Sequence, residues 1–279
     1  MKIMKTTVSL LLLAVLVTSS VSFLTTKAIE NISQEPYIEK IYAAPTNSPE
    51  RFSILKKILH FLLKQKKQPS TTFKFTENNE GWTGDFSDLP INNEDFYELK
   101  FKHANIPIEG KNDKGLLLQG NNHSDDLFMY ITRKFDKNIG LIPNTTYKID
   151  LSFDIATNVP GETMGIGGSP GSSVYVKAGV VNVEPTSQAK NGYLRMNIDK
   201  ANQYQSGKNM IVLGDIAKIC SENKNSIDES FQYKHFTASF EITTNKNGEA
   251  WIIIGTDSGF EGLTELYYTN INVLFSIIE

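Results

Sequence analysis

The sequence has almost no cysteine and few histidines, which excludes several classes of protein. Its 279 residues include one Cys, Cys220, and four His. One Cys cannot form an internal disulfide, and no Leu-x-x-Cys sequence follows the N-terminal apolar run to accept a lipid. The His residues show no H-E-x-x-H spacing, and no G-x-x-x-x-G-K-S/T loop is present. A zinc enzyme and nucleotide-dependent chemistry are therefore disfavoured.

Positive charge is also scarce in most of the chain. Residues 73–279 carry 18 Lys and Arg against 27 Asp and Glu, whereas residues 1–72 carry 10 against 4. Binding to phosphate backbones needs clustered Lys and Arg, so we predict that nucleic acid is not a partner. An envelope or polysaccharide setting fits this acidic body better.

A long apolar run occurs only at the N-terminus. Residues 6–26 are uncharged, follow two Lys, and contain LLLLAVLV at their centre. This pattern predicts an export signal over residues 1–28, and hence an extracellular or cell-surface location. An uncleaved anchor is the alternative, since about 20 apolar residues suffice to cross a bilayer. Export without disulfides suggests secretion of the Gram-positive type.

A tether with a basic helix is predicted between this signal and the rest of the chain. Residues 29–50 are polar and show no periodicity, as in a solvated linker. Over residues 51–68, apolar side chains recur every three or four positions among lysines, which predicts an amphipathic helix. These apolar positions are Phe52, Leu55, Leu59 and Leu62. The helix is suited to binding an anionic membrane surface. Alternatively, it packs on the domain or separates the domain from the cell wall.

From Phe73 onward the apolar period becomes two, which indicates strands. Residues 147–155 and 236–242 alternate apolar and polar side chains, and in the C-terminal segment Tyr267 and Ile271 are predicted to share one face. Further strands are predicted at 115–119, 127–135, 173–181, 193–198 and 250–255. No long helical pattern interrupts them, so the predicted fold is an all-β, antiparallel two-sheet sandwich over residues 73–279.

Three stretches resemble the jelly-roll carbohydrate-binding modules of the galactose-binding-like group. They are Gly81-Trp82 behind Phe75, GLIPNTTY at 140–147 and LYYTNINV at 266–273. The resemblance implies a jelly roll that binds a glycan or cell-wall polysaccharide without catalysis. Residues 120–130 and 165–171 are instead similar to uncharacterised secreted bacterial proteins.

The same resemblance bears on metal content. Such modules often hold a structural calcium with an Asp of the closing strand, where this chain has Asn270. We therefore predict no cofactor, with Ca²⁺ as the alternative.

Candidate ligand residues concentrate in three polar runs that follow predicted strands. Hydroxyl recognition needs carboxylate and amide groups, and an aromatic face suits the apolar side of a sugar ring. The candidates are Asn121, Asn122, His123, Asp125 and Asp126, then Asp199, Lys200 and Gln203, and finally Asp257, Phe260 and Glu261. The last three belong to a predicted loop tip at 256–262, whereas Trp82 and Trp251 are predicted to be core residues.

Two other functions remain open from the sequence. A secreted hydrolase would pair two carboxyl groups about 5–10 Å apart. Asp125 or Asp126 would supply one, and the other would come from Asp85, Asp88, Glu184, Asp199, Asp257 or Glu261. The G-x-S-x-G match at 167–171 leads into a strand rather than a helix, which favours a glycine-rich loop over a nucleophile elbow. A structural or adhesive envelope protein is the second alternative.

Overall fold

The computed structural model describes residues 68–124, 126–161, 163–218 and 229–278, together with Pro49 and Ser53. The chain divides into two units, residues 1–67 and 68–279, and all the strands found in the described residues belong to the second unit. The predicted signal, nearly all of the tether and basic helix, and Asp125 lie outside the described residues. Within the described part, no helix is long and apolar enough to cross a membrane.

The second unit is built from fourteen strands, joined by turns and one short 3-10 turn at Lys137–Ile139 among the described residues. The strands are β1 Ser70–Phe73, β2 Thr83–Ser87, β3 Leu89–Pro90, β4 Lys100–Asn105, β5 Lys114–Asn121, β6 Phe128–Phe135, β7 Thr146–Thr157, β8 Val174–Val181, β9 Ser187–Lys190, β10 Tyr193–Met196, β11 Ile211–Asp215, β12 Gln232–Thr243, β13 Ala250–Ser258 and β14 Leu263–Ile277. All eight strands predicted from the sequence are present.

These strands form two principal sheets. A six-stranded sheet has the order β12-β7-β14-β5-β4, with β1 also paired to β14, and a five-stranded sheet has the order β11-β8-β13-β6-β2. Every pairing between named strands is antiparallel. The predicted antiparallel jelly-roll sandwich is confirmed. Strand β1 pairs with β14 from Ser70 onward. The six-stranded sheet therefore includes residues 70–72, which were predicted to belong to the tether.

The apolar faces of the two sheets form the core. The side chain of Phe153 of β7 is completely buried, as the period of two predicts. Ile254 is completely buried too, in strand β13, all of whose residues are buried. Aromatic rings bridge the layers, with the Phe135 ring of β6 at 5.3 Å from the Phe275 ring of β14. Burial of this apolar surface is the main driving force for the sandwich.

The C-terminal strand contains a bulge that the sequence did not predict. The register of β14 against β7 shifts between Thr269 and Asn272, and Asn270 adopts a positive φ of 48°. A bulge adds one residue and so reverses which face the preceding side chains occupy. Tyr267, predicted to share a face with Ile271, instead packs in a separate cluster with Leu117. That part of the prediction was wrong.

A small third sheet covers the outer face of the five-stranded sheet. Strands β3, β10 and β9 form it, and Asn191-Gly192, both at positive φ, make the two-residue turn between β9 and β10. A second apolar cluster fills the space beneath, including Trp251, Tyr130 and Met210. Both Trp82 and Trp251 are buried, as the sequence predicted.

A matched pair of valine substitutions tests the assignment of this core. Val176 of β8 is fully buried, whereas Val183 is 52% exposed. We expect Val176→Ala to lower the free energy of unfolding by about 2 kcal/mol, because it removes buried methyl groups and leaves a cavity. Val183→Ala should change it by less than about 0.5 kcal/mol. Urea denaturation of both variants measures the difference, and equal effects would contradict the assigned burial.

Candidate functional site

The three polar runs predicted to bind ligand meet at one end of the sandwich. Asn122 joins two of them: its Nδ2 donates to the carbonyls of Ser258 at 3.1 Å and Phe260 at 2.9 Å, and its backbone N–H donates to Gly262. The side chain is almost completely buried. Asn122 therefore holds two loops together and does not face solvent.

Asp257 lies inside the protein and not at a loop tip. Strand β13 continues to Ser258, three residues beyond its predicted end, and Asp257 is fully buried there. Its Oδ2 accepts hydrogen bonds from Lys177 Nζ at 2.7 Å and Lys200 Nζ at 2.8 Å. The sequence interpretation of residues 256–258 as an exposed tip was wrong, because the ladder to β6 and β8 extends through them.

Further ion pairs extend this network toward the surface. Lys200 Nζ lies 2.9 Å from Asp88 Oδ2, and Arg195 Nη1 lies 2.8 Å from Asp88 Oδ1. The same Arg195 atom lies 3.0 Å from Asp126 Oδ2. We call these six residues the charge cluster: Asp88, Asp126, Lys177, Arg195, Lys200 and Asp257. The cluster contains three acidic and three basic side chains. Their pairing offsets the free-energy cost of removing charges from water.

Burial shifts the pKa values of the cluster in different directions. It lowers the pKa of Lys177 despite the neighbouring Asp257. Burial acts the same way on Lys200, but Asp257 and Asp88 together outweigh it and raise its pKa. Burial raises the pKa of Asp126 to about 6, against the opposing charge of Lys200. Lys200 is therefore held charged, whereas the charged forms of Lys177 and Asp126 are destabilised.

The other candidates in the first run pack against residues 96–98. His123 stacks on the Phe96 ring with centroids 4.0 Å apart, and Asn121 Nδ2 donates to Glu98 Oε1 at 2.8 Å. His123 and Phe96 are both exposed at this end of the sandwich.

The candidates of the second and third runs also make contacts within the protein. The Asp199 carboxylate accepts backbone N–H groups of Lys208 and Ala201, both at 3.0 Å, and these bonds lower its pKa. Gln203 lies against Gly259. Phe260 is half-buried over Gly165, and Glu261 pairs through its backbone with Ile166.

A groove on the outer face of the six-stranded sheet offers a different site. Its volume is about 660 Å³, and it crosses strands β1, β14, β7 and β12. Most of its lining side chains are small and polar. The lining residues are Ser70, Thr71, Thr72, Asp150, Leu151, Ser152, Thr237, Ala238, Ser239, Asn272, Val273 and Leu274. None of the candidate ligand residues predicted from the sequence is among them.

Strand register places the polar groups of the groove side by side. Asn272 lies opposite both Ser152 of β7 and Thr72 of β1, and Ser152 lies opposite Thr237 of β12. Thr72 Oγ1 donates to Asn272 Oδ1 at 2.7 Å, and Asn272 Nδ2 donates to Ser152 Oγ at 3.3 Å. Such paired donors and acceptors are fixed by rigid strands rather than by loops.

One carboxylate lines this groove. Asp150 accepts a hydrogen bond from Ser239 Oγ and another from Lys148 Nζ, and these interactions lower its pKa. Leu274 adds an apolar side chain that is 39% exposed. The groove thus combines hydroxyl, amide and carboxylate groups with a small apolar surface.

The sequence did contain a signal for this groove. Ser152, Thr237, Ser239 and Asn272 occupy the polar positions of alternating strands, for which alternation predicts exposure to solvent and no binding role. Exposed strand positions on three different strands share small hydroxyl and amide side chains instead of Lys or Glu. Strand order, which alternation does not reveal, was needed to place them together.

The G-x-S-x-G segment forms a turn. Ser169 Oγ donates to the carbonyl of Gly161 at 3.1 Å and accepts the N–H of Gly171 at 3.3 Å. Strand β8 begins at Val174, so no helix follows the serine. This agrees with its interpretation as a glycine-rich loop.

No group of three or more His, Cys, Asp and Glu is arranged to hold a metal in the part of the chain that the structure describes. The calcium alternative stays a prediction.

Comparison with known proteins finds similarity only among solved structures. No family model matches the chain, and no curated protein matches it. One similar structure is the C-terminal family 22 carbohydrate-binding module of a Clostridium thermocellum protein, at 10% identity and a TM-score of 0.35, covering 74% of this chain and 92% of that chain.

Two further similar structures show the same low identity. A carbohydrate-binding module in complex with β-1,4-galactotriose has 8% identity and a TM-score of 0.33, covering 72% of this chain and 92% of that chain. A cleaved adhesin domain of Lys-gingipain from Porphyromonas gingivalis has 10% identity and a TM-score of 0.36, covering 73% and 96%. Carbohydrate-binding modules are thus among the structural neighbours of this chain, but these similarities do not assign it to a family.

Neutralising Asp88 tests whether the charge cluster holds the third sheet in place. Asp88 is buried at a positive φ of 62°, which Asn also tolerates, so Asp88→Asn removes the charge with little other change. We expect the free energy of unfolding to fall by about 3–5 kcal/mol, because the buried Lys200 loses an ionic partner in a desolvated site. Lys134→Gln, which removes an exposed ion pair with Glu249, should have a much smaller effect in the same urea titration.

The pKa of Asp126 predicts a specific pH dependence of stability. Its value rises from 3.8 to about 6 on folding, so the folded protein binds this proton more tightly than the unfolded chain does. Ionisation of Asp126 therefore has no effect below about pH 4, and destabilises the fold progressively up to about pH 6. Asp126→Asn should gain stability relative to the wild type as pH rises through this window, measured by denaturation at several pH values. A constant or falling difference would contradict the shifted pKa.

Proposed function

We propose that this protein binds a glycan without catalysis, through the groove on the outer face of the six-stranded sheet. The observation that carries the proposal is the groove itself, whose lining offers hydroxyl, amide and carboxylate groups on four adjacent strands. Each hydroxyl group of a polyhydroxylated ligand both donates and accepts hydrogen bonds, and the side chains of the groove can provide partners for both.

The proposed site differs from the site that the sequence predicted, which lay in the three polar runs. The candidate carboxylates Asp257 and Asp126 are engaged in the charge cluster, and Phe260 packs on Gly165. Among the described residues that line the groove there is no aromatic ring, so Leu274 supplies the apolar contact. Binding would rest on hydrogen bonds, each of which contributes about 0.5–1.5 kcal/mol, and single-site affinity would be weak.

The proposal includes the location predicted from the sequence. An export signal over residues 1–28 would bring the sandwich to the cell surface or beyond, where polysaccharide is accessible. The basic residues 51–68 would add contact with an anionic membrane surface. The uncharged apolar run at residues 6–26 and the spacing of apolar residues among lysines at 51–68 support these two elements.

Alanine substitutions in the groove test the proposal. A glycan array of the full chain, followed by titration with soluble xylan and β-1,4-galactan, identifies a ligand. Thr237→Ala and Asn272→Ala should each then raise its Kd by about two- to tenfold, because each removes hydrogen-bonding groups from the lining. Thr83→Ala, an exposed threonine on β2 outside the groove, should leave the Kd unchanged.

The same experiment separates the alternatives. Binding that is insensitive to both groove variants would place the glycan elsewhere and contradict the assigned site. Release of shorter products from a bound polysaccharide would indicate a hydrolase. Absence of binding to every glycan tested, with and without calcium, would favour a structural or adhesive role.

A further inference from the structure

The innermost pair of the charge cluster is unusual because both partners are completely shielded from water. Lys177 and Asp257 each have side chains with 0% exposure, and Lys177 Nζ lies 2.7 Å from Asp257 Oδ2. Among the described residues, the ammonium also donates a hydrogen bond to the carbonyl of Lys200 at 2.9 Å. Two opposite charges are thus held in direct contact where hydration cannot stabilise them.

The sheet geometry fixes this contact. Strands β8 and β13 are adjacent, with Lys177 opposite Gly255 and Asp257 opposite Tyr175. Lys177 therefore reaches Asp257 diagonally, across the position where Gly255 has no side chain. A Cβ at Gly255 would come within 2.5 Å of the Met129 carbonyl, so that position also requires glycine. Neither partner belongs to a mobile loop.

The two lysines that contact Asp257 have different environments. Lys200 Nζ also lies 2.9 Å from Asp88 Oδ2, donates to the Ala201 carbonyl at 3.2 Å and lies 4.9 Å from the centre of the Phe128 ring. These contacts stabilise its positive charge. Among the residues that the structure describes, Lys177 has Asp257 as its one ionic partner, and burial lowers the pKa of Lys177. A desolvated lysine of this kind is the one that becomes a nucleophile.

We propose that Lys177 and Asp257 condense within the folded chain to form an intramolecular amide bond between Lys177 Nζ and Asp257 Cγ. The fold would thereby acquire a covalent cross-link between β8 and β13, in a protein whose only cysteine cannot form an internal disulfide. This inference is independent of glycan binding.

The reaction balances without any other reactant. A proton passes from the ammonium to the carboxylate along their hydrogen bond, leaving a neutral amine and a neutral acid. The amine lone pair attacks Cγ, a second proton passes from Nζ to Oδ2, and the bond between Cγ and Oδ2 breaks. One amide and one water are formed, and nothing is oxidised or reduced. Lys200, hydrogen-bonded to Oδ2, stabilises the oxygen that departs.

The surroundings favour the product. Two buried ions become one neutral amide, so the cost of holding charges away from water is removed. Asp257 Oδ1 is a buried oxygen with no hydrogen-bond partner among the described residues. In the product it is the oxygen of an amide carbonyl, and a buried carbonyl without a partner costs less free energy than a buried carboxylate oxygen without one. The remaining four members of the charge cluster, two acids and two bases, still balance.

Peptide mapping of the purified full-length protein tests the proposal directly. The chain is denatured and digested with a protease that cleaves after lysine, and the peptides are weighed by mass spectrometry. We expect a branched peptide containing both Lys177 and Asp257, lighter than its two linear parts by one water, and no cleavage after Lys177. Linear peptides alone, with cleavage after Lys177, would overturn the proposal.

Two charge-preserving variants assign the reacting lysine. Lys177→Arg retains a cation that does not form the amide, and should lose the branched peptide completely. Lys200→Arg should retain it. A branch that joins Lys200 to Asp257 would overturn the assignment of Lys177 as the nucleophile. The wild-type map is decisive by itself, even where Lys177→Arg does not fold.

Discussion

The mutual neutralisation of the six residues of the charge cluster, of which Lys177 and Asp257 are completely buried, is the constraint on which the arrangement of the five-stranded sheet depends. Asp257 and Lys177 project from that sheet, and Lys200 and Arg195 come from the segment that covers it. None of these ions is stable in a desolvated site without its partners, so the covering segment must be in place for the sheet face to be buried. The apolar cluster around Trp251 then packs beneath the same cover.

This closure gives the two outer faces of the sandwich different chemical properties. On the five-stranded sheet, the chain's own β9 and β10 occupy the surface, and the polar groups pair with each other. On the six-stranded sheet, the polar side chains around Asn272 remain exposed and form a groove. A glycan site is therefore proposed on the open face, and the closed face provides the dry environment that an amide cross-link requires.

The sequence predicted the fold better than the site, for identifiable reasons. Alternation identified β7 and β12 because one face of each strand is buried, and burial acts on each strand separately. It failed at Tyr267, because the bulge at Asn270 changes the phase of β14 without any change in composition. The loop candidates were chosen for polarity, yet Asn122 serves to join loops, because a polar side chain satisfies backbone groups as readily as a ligand.

The amino-acid sequence by itself determined the class of fold, the buried tryptophans, the acidic body and the absence of an internal disulfide. These properties depend on composition and on spacing along the chain. Only the tertiary structure decided that Lys177 meets Asp257 and that Thr237 lies beside Ser152, because both juxtapositions depend on strand order and register. Contacts between residues far apart in sequence are set by the packing of the whole sandwich, and no local pattern of residues specifies them.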